Sequence, residues 1–333
     1  MNASEPSDLP HGTPVLDPDL PIVDPHHHLW DRGGHRYLAD ELRADLDCGH
    51  RIAATVYVEC RSAYLAAGPE ELRPTGETRF VVENCDRPLP TARGPVDAAA
   101  GIVAYADLTL GDAVDRVLDA HEAVAAGRLR GIRHAVAWHE GSAIRSHYAT
   151  TPRMLADPAF RAGIRRLGTR GLTFDVWGYF TQLDDLADAL DACPDTTFVL
   201  DHCGGLIGIG PWQNRREEVL DRWRPVVRRL ARHDNLVIKL GGLGMPLAGF
   251  AFHKRETAPD HTELAAAWAP VIDHCIDSFG PDRCMFESNW PVDVPAGSYR
   301  TLWNAFKLLA AGHSPTEREV LFSGTARRVY RIG

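Results

Sequence analysis

The chain has 333 residues, 44% of them hydrophobic and 24% charged, so it can bury a substantial core without disulfide staples. Lys and Arg number 36 against 45 Asp and Glu, and the resulting net charge of -9 argues against a nucleic-acid partner. No apolar run is long enough to cross a bilayer, which excludes a membrane-spanning helix.

Residues 1–19 are polar and Pro-rich and show no basic segment followed by an apolar core, so they read as an N-terminal arm and not as a signal peptide. Residues 20–333 show no composition shift and read as one domain. The seven cysteines are scattered and lack a CxxC pair; they are expected to be reduced and mostly buried, in a cytoplasmic protein.

In chain order, a short apolar stretch at 21–23 leads into His26, His27 and His28, three of sixteen histidines. Further β-like runs lie at 52–58, 102–105 and 131–136, with a helical stretch at 113–126. Asp157-Pro158 is a helix cap followed by proline. From there the chain alternates: strand 172–176, a helix opening at Thr181, strand 197–200, helix 217–233, strand 236–240, helix 262–279, strand 283–288. Ser314-Pro315-Thr316-Glu317 is a capping box that starts the last helix. Eight apolar strands separated by helices need crossover connections and hence a parallel sheet, which points to an α/β fold, the (β/α)8 TIM barrel. Long loops are expected after strand two (61–100) and strand seven (242–260). No GxGxxG follows the first strand, which weighs against a dinucleotide-binding fold.

Active sites of such barrels sit where the strands finish. The expected strand ends carry Asp24 and the histidines, Glu59, Arg133 and His134, Asp175 and Trp177, Asp201 and His202, Lys239, then Glu287, Asn289 and Asp293. Side chains alternate along a strand, so His26 and His28 share one face and His27 takes the other. Two imidazoles on one face, with His202 arriving from strand six, form a candidate divalent-metal site.

Val23-Asp24-Pro25-His26-His27-His28-Leu29-Trp30-Asp31 resembles the opening-strand motif of the amidohydrolase superfamily. Gly131-Ile132-Arg133-His134, Phe198-Val199-Leu200-Asp201-His202-Cys203-Gly204-Gly205 and Met285-Phe286-Glu287-Ser288-Asn289-Trp290-Pro291-Val292-Asp293 match in order. The resemblance covers about residues 22–332 and is nearest to the amidohydrolase-2 branch of sugar lactonases, pyrone-dicarboxylate lactonases and some decarboxylases. It implies hydrolysis of a lactone or related cyclic ester or amide by activated water. Metal-dependent non-oxidative decarboxylation of an unsaturated or aromatic acid, or an impaired barrel that only binds a small anion, are the alternatives.

One position departs from the family pattern. Relatives usually carry Ser-Asp-Trp-Pro at strand eight, where the aspartate is the general base; this chain carries Ser288-Asn289-Trp290-Pro291. An amide accepts no proton at neutral pH. Glu287, Asp293, Asp175 or His202 then acts in its place, or hydrolysis is lost. The resemblance casts His202, Glu287, Asn289, Asp293 and Arg133 in the catalytic centre. Glu59, Arg61, Asp175, Trp177, Lys239 and Trp290 become substrate contacts, with Arg133 and Lys239 suited to an anion. A divalent metal, zinc foremost, would sit on His26, His28 and His202, although some lactonases of the branch work without one. A small anionic substrate, no nucleic acid, no membrane and a homodimer complete the expectation.

Overall fold

The structure, a computed structural model, describes residues 14–333 except 142, 145 and 147. Eight parallel strands follow one another around a barrel: β1 (Ile22–His27), β2 (Ile52–Val58), β3 (Gly94–Ala104), β4 (Leu129–Arg133), β5 (Thr173–Val176), β6 (Phe198–Leu200), β7 (Leu236–Leu240) and β8 (Cys284–Phe286). Beyond the end of β8, a parallel bridge pairs Trp290 with His27, and His28 N donates to the Trp290 carbonyl at 2.8 Å. The Asp24 carboxylate adds a side-chain link across this seam, accepting from Ser288 N at 2.9 Å and Ser288 Oγ at 2.5 Å. The expected TIM barrel is therefore present.

Eight main helices flank it: α1 (Ala39–Leu46), α2 (Thr75–Asn84), α3 (Asp115–Val124), α4 (Pro158–Thr169), α5 (Leu183–Ala192), α6 (Arg216–Leu230), α7 (His261–Phe279) and α8 (Tyr299–Leu309). Their starts follow from local chemistry. Asp157 caps α4 by accepting from Ala159 N and Phe160 N, with Pro158 at the first turn. Asp260 and Glu263 form a reciprocal capping box at α7. The expected box at Ser314 and Glu317 opens a helical turn that runs through a π segment, Val320–Gly324, into a last helix, Thr325–Tyr330.

Strand alternation sorts the barrel into two environments. Ile22, Ile52, Phe174, Phe198, Ile238 and Phe286 face the helix layer and join the main core. Val56, Val103, Val199, Val237 and Met285 form a second cluster inside the barrel, closed by Ala326, Val329, Tyr330 and Ile332 from the C-terminal helix. The next inward positions after Val199, Val237 and Met285 are Asp201, Lys239 and Glu287, all fully buried. An apolar plug thus lies beneath a polar layer.

Two boundaries differ from the sequence reading. β3 begins at Gly94, so residues 94–100 belong to a strand and not to the loop after strand two. Gly94-Pro95 and the run of alanines have low strand propensity, and pairing with β2 and with a short antiparallel partner, Leu89–Thr91, overrides it. A long connection also follows β4, over residues 134–157, which the sequence had not marked. The loop after β7 has the expected extent. Of the proposed arm, residues 1–13 lie outside the described residues. Residues 14–19 are tied to α8, where Lys307 Nζ donates to the carbonyls of Leu16 at 2.9 Å and Asp17 at 2.6 Å. All seven cysteines are free thiols and six are buried. Among the described residues no helix is long and apolar enough to cross a membrane.

Candidate active site

Nearly every inward polar residue expected at the strand ends meets another. Glu287 receives His202 twice on Oε1, from the backbone N at 2.9 Å and from Nδ1 at 2.7 Å. Its Oε2 lies 2.7 Å from His26 Nδ1, yet it has no aligned hydrogen-bond donor. With Nδ1 turned to a carboxylate, His202 presents Nε2 as its free ring nitrogen. The rings of His26 and His202 are 4.6 Å apart, and Trp177 stands edge-on to His202 at 4.8 Å.

Two glycines after β7 make this packing feasible. A Cβ at Gly241 would lie 2.5 Å from Glu287 Cγ, and one at Gly242 would lie 2.4 Å from His202 Cγ. Gly242 also has φ +68°, a region that favours glycine.

Lys239 and Arg133 hold the acids around the histidines. Lys239 Nζ is 2.9 Å from Asp175 Oδ2 and 3.0 Å from Asp201 Oδ1. Burial alone lowers the ammonium's pKa, but Asp175, Asp201 and Glu287 lift it above its ordinary value. Arg133 donates through Nε to Glu59 Oε1 at 2.8 Å and reaches Asp201 Oδ2 at 3.4 Å. Burial pushes the Asp201 carboxyl up, but Lys239, His202 and Arg133 outweigh it and keep it below the usual range. Burial foremost, with Lys239 adding, holds the His26 imidazole well below its usual pKa. His28 is likewise neutral, lowered by burial and then by Arg133, and its Nδ1 donates to the Val58 carbonyl at 2.8 Å. His27 points away, onto Thr55 Oγ1 at 2.9 Å, as the alternation requires.

Asn289 does not continue the strand. Its φ is +51°, and its Nδ2 donates to Asp293 Oδ1 at 2.8 Å. Gly244 N holds the other oxygen of Asp293 at 2.9 Å. Asp293 is buried, and burial pushes its carboxyl up to about 7, with Glu287 adding to the rise and Gly244, His202 and Asn289 opposing it. Asn289 thus leaves the strand alternation, since a left-handed backbone turns its amide toward Asp293.

The donor atoms of His26, His202 and Glu287 lie within 4.8 Å of one another, and His28 is not in that set. Glu59, Asp175, Asp201 and Glu287 are buried with only Arg133 and Lys239 as fixed cations, so carboxyls outnumber cations by two in this layer. An orphaned carboxylate oxygen, two imidazoles and this shortfall fit a divalent cation. The set differs from the sequence expectation in taking Glu287 and leaving out His28.

Residues 23–332 match the amidohydrolase family. The chain belongs to that family. This amidohydrolase is 30% identical to the uncharacterized protein y4mH of Sinorhizobium fredii, over 94% of this chain and 99% of that protein. It is 28% identical to L-fucono-1,5-lactonase of Burkholderia multivorans, over 93% and 96% of the two chains. A crystal structure of a Burkholderia multivorans amidohydrolase with bound Zn superposes with a TM-score of 0.71 at 26% identity, covering 94% of this chain and 99% of the other.

Some proposed contacts lie elsewhere in the site of the amidohydrolase. Trp290 is buried, with its indole N–H on Asp45 Oδ2 at 2.7 Å, so it braces α1 and does not line the mouth. Arg61 is exposed at the rim, over the Tyr148 ring at 5.8 Å. Two further residues escaped the sequence reading. Tyr148, in the connection after β4, donates to Glu59 Oε1 at 3.0 Å. Tyr330, from the C-terminal helix, donates to Asp175 Oδ2 at 2.5 Å and closes the floor under Lys239. The length of the β4 connection was the available signal for Tyr148; none pointed to Tyr330.

Proposed function

We propose that this amidohydrolase opens a lactone, or a related cyclic ester or amide, with water activated at the C-terminal mouth of the barrel. The observation that carries the reading is the buried convergence of His26, His202 and Glu287 beside Asp293. Similarity to a protein named L-fucono-1,5-lactonase supports the reaction class.

His26, His202 and Glu287 would hold a divalent cation, zinc being the expected ion, and it would supply Lewis acidity toward the ester carbonyl. Asp293 is the general base. Its pKa of about 7 suits proton transfer near neutrality. Glu287 is less suited, because Oε1 already accepts twice from His202 and Oε2 is the oxygen that would hold the cation. Asn289 is a positioning residue that aims the Asp293 carboxylate through its amide. Asp293 takes a proton from water as the new C–O bond forms. It returns the proton to the ring oxygen as the ester bond breaks, which leaves a hydroxy acid.

Arg133 and Lys239 already answer carboxylates of the protein, so an anionic group on the substrate would share them with Glu59, Asp175 and Asp201. Glu59 Oε2 is buried without a partner and offers an acceptor for a substrate hydroxyl, between Tyr148 and Arg133.

The test is a panel of sugar and aromatic lactones, followed by proton release and by NMR of the opened acid. Ring opening of at least one lactone class is expected. Release of carbon dioxide from aromatic acids, with no lactone opened, would replace hydrolysis by decarboxylation.

A further inference from the structure

Away from the histidine cluster, the connections after β6 and β7 enclose a cavity of about 380 Å3. Small-molecule sites run from about 300 to 1,000 Å3. The two connections are pressed together by their backbones. Gly208 N donates to the Leu247 carbonyl at 2.8 Å, and a Cβ at Gly208 would lie 2.7 Å from the Ala248 oxygen. Neither His26, His202 nor Glu287 lines the space.

The lining has two parts. Leu206, Ile207 and Leu220 make a buried apolar wall. The charged part has one sign: Arg216, Lys254 and the titratable His253 line the cavity, and among the described residues no aspartate or glutamate does. That is notable in a chain whose net charge is -9. Arg216 is half-buried over the Phe250 ring at 3.8 Å and donates to the Ala248 carbonyl at 3.1 Å, and neither contact neutralises it. Burial accordingly lowers its pKa. Glu217, exposed beside Arg216 in the chain, opposes that shift without lining the cavity, while Glu218 is engaged with Arg215 and Arg222 and Glu263 with Arg255. Trp212 adds a buried indole N–H that has no acceptor.

We propose that this cavity is a second binding site, distinct from the barrel mouth, for a small organic carboxylate with an apolar body. The hydrocarbon would lie on the Leu206, Ile207 and Leu220 wall. Arg216 makes the charge-assisted contact, Lys254 completes the ion pair at the lip, and Trp212 supplies a neutral donor.

The test is calorimetric titration of the full chain with hexanoate, hexan-1-ol and hexylammonium, which share a tail and differ in head-group charge. Hexanoate should bind saturably, about tenfold or more tighter than hexan-1-ol, with hexylammonium weakest. Arg216→Gln and Lys254→Gln should each weaken hexanoate several-fold, and Glu287→Gln should leave it unchanged. Thermal melting of each variant separates lost binding from lost folding, and Lys254, exposed at the lip, keeps the test valid if Arg216→Gln unfolds. Three results overturn the proposal: no saturable binding, equal binding of hexanoate and hexan-1-ol, or binding that survives both cavity substitutions and disappears in Glu287→Gln.

Discussion

The Asn289 amide donates to Asp293 Oδ1 at 2.8 Å, so the amide just beyond strand eight is hydrogen-bonded to a carboxylate four positions on. On the proposed reading Asp293 carries the acid function, and the amide orients it.

Removing that displaced acid tests the assignment. Asp293→Asn should lower kcat by about 100-fold or more, the usual contribution of a general base, with a smaller effect on KM. Asn289→Asp would set a second carboxylate against Asp293 and push the pKa of Asp293 further up. In the parent protein kcat/KM should rise with pH through about 7, because the base must be ionised. In Asn289→Asp that limb should move to higher pH. A gain in activity with no such movement would return the base to position 289.

The metal assignment separates Glu287 from His28. Glu287→Gln should weaken zinc binding to the metal-free protein by more than about 10- to 100-fold, since removing a direct ligand costs at least as much as removing its supporting partner. His28→Ala should bind zinc nearly as the parent does, because His28 lies outside the compact donor set. Calorimetry reads both without any turnover. Loss of zinc in His28→Ala with retention in Glu287→Gln would reinstate the ligand set expected from the sequence.

The rim was legible where strand periodicity governs. Asp201, Lys239 and Glu287 point inward because Val199, Val237 and Met285 do, and residues at spacing two share a face. The cap of α4 and the capping box at Ser314 were legible because their chemistry is local. What periodicity cannot supply is tertiary. Tyr330 reaches Asp175 from a helix at the far end of the chain, and Tyr148 reaches Glu59 from a connection whose path no local pattern specifies. Asn289 lies outside that rule, because the strand ends at Phe286 and the positive φ of Asn289 breaks the alternation. The start of β3 was hidden because its alanines gain their extended form from neighbouring strands and not from propensity.

Gly242 should resist substitution. Its backbone favours glycine at φ +68°, and a methyl group would lie 2.4 Å from His202 Cγ. Gly242→Ala should cost about 1–3 kcal/mol from backbone strain alone, and the overlap adds to it. Urea denaturation should show the lower midpoint, with weaker zinc binding alongside it as His202 is displaced. Unchanged stability and zinc affinity would mean that His202 is not held where this packing requires.

Acid should destabilise the fold, and the sign follows from buried histidines. Burial holds His27 and His50 at about 3, and His121 and His134 at about 4, against an ordinary 6.5. An unfolded chain takes up these protons below pH 6.5 while the folded chain refuses them, so stability is lost as pH falls from 6.5 toward 4. Six carboxyls that burial raises oppose this, Asp45, Asp175 and Asp273 among them. Burial raises Asp24 to about 6, and Glu77 and Asp293 to about 7, so between those values and their ordinary ones the folded chain holds the extra proton. Their contribution is a penalty above pH 7 that fades on acidification. Seven histidines shift down, His26, His28 and His274 included, against the six carboxyls, and Asp201, held below its ordinary value, adds to the loss. The balance therefore favours net loss. Denaturant midpoints of the metal-free protein at pH 7.5, 6.5, 5.5 and 4.5, buffer values chosen to span about the range over which these groups titrate, should fall steadily below 6.5. A flat or rising series would mean that the interior histidines bind their protons in the folded state.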